Sequence, residues 1–84
     1  MSYIVKEIAT ATKNNPSFKA GEKHIFYMGK GEAFATDIRH FTEYHFCNGW
    51  KSKRFAEDYV EKERAYYTEY NNGMWNYTWE IMEI

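Results

Sequence analysis

Residues 74–84, MWNYTWEIMEI, decide the architecture. Trp75, Tyr77, Trp79 and Ile81 fall on one side of an extended chain, and Met74, Asn76, Thr78, Glu80 and Met82 on the other. That is the period of two imposed by a strand with one buried face. A strand so aromatic on one side needs a cover, and the segment before it supplies one. Residues 53–70 are rich in strong helix formers and follow Ser52, whose hydroxyl can accept a hydrogen bond from a free N–H of the first turn. Phe55, Ala56, Tyr59, Val60, Glu63, Tyr66, Tyr67 and Tyr70 recur at helical spacing, predicting one aromatic face with a single acidic interruption. Lys53, Glu57, Glu61, Lys62 and Arg64 take the opposite side. Asn71-Asn72-Gly73 reads as the helix stop, since Asn and Gly tolerate the left-handed conformation that closes helices.

Further back, residues 3–12, YIVKEIATAT, form a β-branched alternating strand with Tyr3, Val5 and Ala9 on one face and Ile4, Ile8 and Thr10 on the other. Asn14, Asn15, Pro16 and Gly21 mark an exposed loop. His24–Met28, HIFYM, is a short strand stopped by Gly29-Lys30-Gly31, whose glycines permit a tight hairpin turn. Its partner lies within residues 33–47, where HFTEYHF sets His40, Thr42, Tyr44 and Phe46 against Phe41, Glu43 and His45. The overlapping stretch EAFATDIRHF also suits a helical turn. The sum is a single α+β domain over residues 1–84: an antiparallel sheet of three or four strands packed against one main helix.

At 84 residues the chain buries about 60% of its unfolded surface, and a large catalytic cleft would compete with the core. Three Trp, eight Tyr and six Phe compensate, because each ring buries roughly 150–250 Å². Residues 1–52 carry seven Lys/Arg against five Asp/Glu and residues 53–84 four against seven. Neither half has the dense basic stripe that phosphate contacts require, so no direct nucleic-acid partner is expected. The single Cys47 cannot form an intramolecular disulfide, MSYIVKEI lacks the plan of a signal peptide, and no apolar run is long enough to span a bilayer. A soluble protein of a reducing cytoplasm is expected, with homo-oligomers left open.

His24, His40, His45 and Cys47 place every histidine and the only cysteine in one 24-residue window. Imidazole and thiolate suit tetrahedral Zn²⁺, and a structural zinc would staple so small a domain. The spacing H-x4-H-x-C matches no strong zinc signature, however. In an extended chain His45 and Cys47 share a face with His40 opposite; packing of Cys47 as a small hydrophobe explains the same residues. A thiolate–imidazole nucleophile is the chemical alternative, but no oxyanion hole accompanies it, and the carboxylates at Glu57/Asp58 and Glu61/Glu63 read as a solvated helix face. The chain is therefore expected to be non-enzymatic.

Eight tyrosines cannot all hide their hydroxyls in this core, and Tyr and Trp are enriched at protein–protein hot spots. Trp50, Tyr66, Tyr67 and Tyr70 are the candidate partner-binding residues. YIVKEIATAT at one end and NYTWEIMEI at the other resemble small proteins of bacteriophages and mobile elements. GMWNYTWEIMEI, within the last 15–20 residues, resembles the C-terminus of a small anti-CRISPR protein that inhibits type II-C Cas9. The resemblance implies stoichiometric docking on a bacterial Cas9, or on its guide-RNA complex, inside the bacterial host cell, without catalysis. The alternative is a zinc-stabilised phage structural or regulatory module with no defence target.

Overall fold

A computed structural model describes residues 1–70 and 73–84. Its strands are β1 (Tyr3–Ala11), β2 (Lys23–Met28), β3 (Phe34–Ala35) and β4 (Trp75–Glu83). Its helices are α1 (Arg39–Thr42) and α2 (Lys53–Tyr70). The strands form one antiparallel sheet in the order β3-β2-β1-β4, and α2 packs across β1 and β4. The α+β architecture expected from the alternations is therefore present, with four strands and one main helix.

The register explains why β1 alternates. Val5 stands between Met28 and Ile81, Glu7 between Phe26 and Trp79, and Ala9 between His24 and Tyr77. These side chains share the face under α2, where Val5, Ala56 and Val60 are buried and Tyr3, Trp50, Tyr59, Trp79 and Ile81 pack around them. Ser52 caps α2 as expected, its Oγ accepting from Arg54 N–H at 3.2 Å. Of the expected helix stop, Asn71 and Asn72 lie outside the described residues.

The other face departs from a simple two-layer plan. Ile4 is fully buried there with Ala35 and Phe41, and Ile38, Cys47, Met82 and Ile84 pack against them. The cover is the segment after β3, so this end of the sheet is sandwiched between two layers. The HFTEYHF alternation is not a strand: β3 is two residues long, Arg39–Thr42 is helical, and residues 43–49 are irregular. Asp37 starts the turn, its Oδ1 accepting from Arg39 N–H at 2.9 Å. The helical turn then brings His40 and Tyr44 into ring contact, centroids 5.8 Å apart. That contact accounts for an i, i+4 pair that mimics alternation.

The β2–β3 hairpin is present, but its two glycines do different work. Gly31 takes the left-handed conformation (φ 72°) beside Glu32 (φ 62°), the position where glycine is favoured. Gly29 is extended and buried; a Cβ there would overlap the Asn48 carbonyl and the Phe41 ring. The loop after β1 is ordered by its asparagines: Asn15 Oδ1 accepts from Ser17 and Phe18 N–H, and Asn14 Oδ1 from Ala20 N–H.

Candidate functional site

The aromatic face expected along α2 is too wide to be buried whole. Ala56 and Val60 are buried and Tyr59, Glu63 and Tyr67 half-buried, whereas Phe55, Tyr66 and Tyr70 stand in solvent. At 100° per residue Phe55, Tyr59, Tyr66 and Tyr70 fall within about 60° of one another, so they form one flank. That flank faces the β2–β3 hairpin, because α2 sits over β1 and β4 and leaves this side of the sheet open. A groove of about 580 Å³ runs there between Trp50, Phe55 and Tyr59 on one wall and the Lys30–Glu32 turn on the other. It continues over Met28, Ala33 and Phe34, sharing Glu32, Tyr59 and Glu63. Lys30, Glu32, Asp58 and Lys62 supply a charged rim.

Beneath the helix lies a polar cluster that sequence reasoning did not single out. Glu7 is only 4% exposed, and Trp79 Nε1–H donates to its Oε1 at 2.9 Å. Burial pushes the Glu7 carboxyl up; the indole bond lowers it and the charge of Glu63 raises it further. Burial likewise raises the Tyr59 phenol, reinforced by Glu63 and Glu7, with Tyr59 donating to Glu63. Tyr67 stacks on Tyr77, centroids 3.8 Å apart, and donates to its hydroxyl. Phenols raised in this way are poor sources of phenolate, and the Glu7 carboxyl is nearly shut off from solvent. The cluster orients Trp79 and ties α2 to the sheet. Glu7 on the Tyr3/Val5/Ala9 face and Glu63 on the aromatic helix face were its sequence signal: two acids on surfaces that meet.

The four candidate partner-binding residues divide. Tyr66 and Tyr70 are 54% and 64% exposed, with centroids 4.9 Å apart. Tyr67 turns inward on Tyr77. Trp50 is half-buried at the far end of α2, packed against Tyr59 with centroids 5.1 Å apart and paired through its backbone with Tyr3. Phe55 and Phe34, which line the groove, were not singled out as binding residues, nor were Tyr44 and Phe46. Phe46 is the most exposed ring, at 76%. It lies with His40 and Tyr44, beside an Arg39 guanidinium 5.5 Å from the Tyr44 ring. Arg39 in turn pairs with Asp37 and, by hydrogen bonding, holds its carboxyl down at about 2.

The four candidate metal ligands also lie in two places. His24 stands opposite Ala9 on the α2 face, near Trp75 and Phe18, with Nε2 3.1 Å from Glu22 Oε2. Cys47 packs against the Ile4 cluster on the opposite face, five residues along β1, or roughly 17 Å at strand rise. His40 and Cys47 are linked by backbone, Cys47 N–H donating to the His40 carbonyl at 3.1 Å. His45 is exposed with φ 55° and borders a cavity of about 520 Å³ that Cys47 also lines. Among the described residues no group of three or more His, Cys, Asp or Glu side chains is placed to hold a metal ion. No described helix is long and apolar enough to cross a membrane. No family model, no curated protein and no solved structure matches this chain.

Proposed function

We propose that this chain is a non-enzymatic docking protein that inhibits a bacterial Cas9 by stoichiometric binding, with the groove beside α2 as its contact surface. The carrying observation is that groove: Phe34 and Phe55 stand exposed beside half-buried Trp50 and Tyr59, within a charged rim. Protein interfaces have this anatomy, an aromatic centre that loses its water surrounded by polar groups that set orientation. Tyr66 and Tyr70 extend the surface along the same helix flank. The likeness of GMWNYTWEIMEI to a small anti-CRISPR protein supplies the target class, and inhibition by occlusion requires no chemistry from the inhibitor.

The test is a Cas9 DNA-cleavage assay with purified protein added before or after guide RNA, beside a pull-down of the effector. Inhibition saturating near equimolar protein is expected, with the order of addition locating the blocked step. Phe55→Ala is expected to weaken inhibition at least about tenfold, the range of an interface hot spot, without moving the melting temperature. Absence of both binding and inhibition across several Cas9 orthologues overturns the reading.

A further inference from the structure

The sheet ends at β4, and its ladder determines which backbone groups face outward. Ser2 and Ile84 exchange hydrogen bonds at 3.0 and 2.8 Å, and Thr12 N–H donates to the Met74 carbonyl at 2.9 Å. These pairs continue the register in which Tyr3 stands opposite Glu83 and Thr10 opposite Asn76. Hydrogen-bonded and non-hydrogen-bonded pairs alternate along an antiparallel ladder. Asn76, Thr78, Glu80 and Met82 therefore bond inward to β1, while Tyr77, Trp79 and Ile81 turn their N–H and C=O groups outward. Among the described residues nothing pairs with these three on that side. Edge strands are ordinarily blunted by Lys, Pro or a bulge. Residues 75–83 contain neither Lys nor Pro, and their pairing with β1 is unbroken.

We propose that this edge takes the β4 of a second copy of the chain, joining two sheets into one about a two-fold axis at Trp79. The strand is complementary to itself in that register. With Trp79 opposite the second copy's Trp79, Tyr77 meets Ile81, so outward-facing residues meet only outward-facing residues and six N–H···O bonds form. On the opposite face Thr78 meets Glu80 and Asn76 meets Met82. Glu80 and Glu83 are the only charges in β4, and in this register no glutamate meets another, whereas an axis at Glu80 would oppose the two carboxylates. The helices also fit. Because α2 lies over β1 and β4 and strands are about 4.8 Å apart, the two copies of α2 come roughly 10 Å apart, an ordinary helix-packing distance. On that flank Arg64 carries its own counter-ion, Glu61, at 2.7 Å.

The experiment is sedimentation velocity of the purified chain at increasing concentration, with amide exchange followed in the same samples. A shift from monomer to dimer is expected, with exchange slowing at Tyr77, Trp79 and Ile81 as the dimer forms. Thr78 is exposed and meets Glu80 twice per dimer, so Thr78→Lys is expected to tighten the dimer and Thr78→Glu to loosen it. Each changes Kd by about two- to thirty-fold. A chain that stays monomeric at every concentration overturns the proposal, including one whose edge serves a different protein. So does a dimer indifferent to the sign of the charge at position 78, or one in which the three amides exchange as in the monomer.

Discussion

Ile4 and Val5 are neighbours in sequence, both completely buried, and covered by quite different means. Val5 lies under an 18-residue helix whose Ala56 and Val60 meet it at regular spacing. Ile4 lies under an irregular segment with one four-residue helix, from which Phe41 projects as the single fully committed ring. Equal burial thus comes from a repeating surface on one side and from one well-placed side chain on the other. A repeating surface spreads its contribution over many positions; a single plug concentrates it.

The sharpest way to break this contrast is Phe41→Ala, which removes the plug. It is expected to cost about 3–5 kcal/mol, measured by urea unfolding, and an effect as small as that of a surface substitution would show that the Ile4 side is not a core. On the helix side Val60→Ala is expected to cost less, about 1.5–3 kcal/mol, because Ala56 and the surrounding aromatic rings remain. Ser52→Ala sharpens the comparison by weakening the whole helical cover through its first turn, at about 0.5–2 kcal/mol.

The smallest effects are titrations, with opposite signs on the two sides. Glu7, beneath α2, has its carboxyl raised from 4.5 by burial. The folded state therefore binds the extra proton, and stability is greatest below the unfolded value and falls as pH rises through the folded one. Glu7→Gln, whose amide oxygen still accepts from Trp79, is expected to remove that fall in a series of melting temperatures. Asp37, at the start of the Ile4 cover, is lowered from 3.8 to about 2 by Arg39. Its contribution is present above the unfolded value and is lost as pH falls from about 4 to 2. Asp37→Asn is expected to flatten that acid limb by lowering the plateau above pH 5, where the slope stays unchanged.

The same contrast explains what could be read from the sequence. β1, β4 and α2 repeat over nine, nine and eighteen residues, long enough for their periods to stand out. The Ile4 cover has no period. Its apparent alternation at HFTEYHF comes from His40, Tyr44 and Phe46 meeting one another at the surface through edge-on and tilted ring contacts. The groove was legible only in part. The aromatic flank of α2 was visible as spacing, but its exposure depends on the helix lying over β4 rather than β2, and strand order is not written in any local pattern. Glu7 and Trp79 are 72 positions apart, so their pairing required the register.

That separation also sets the order in which the molecule can assemble. β1 can pair with β2 as soon as a short loop closes, but its other neighbour is β4, more than sixty residues further along the chain. Closing a span of more than sixty residues costs entropy before any β1–β4 contact is made, and such topologies fold slowly. On a ribosome the inner edge of β1, with Glu7 still open to water, stays unpaired until β4 emerges. Among the described strands, the one with the most aromatic rings is therefore also the last to join the sheet.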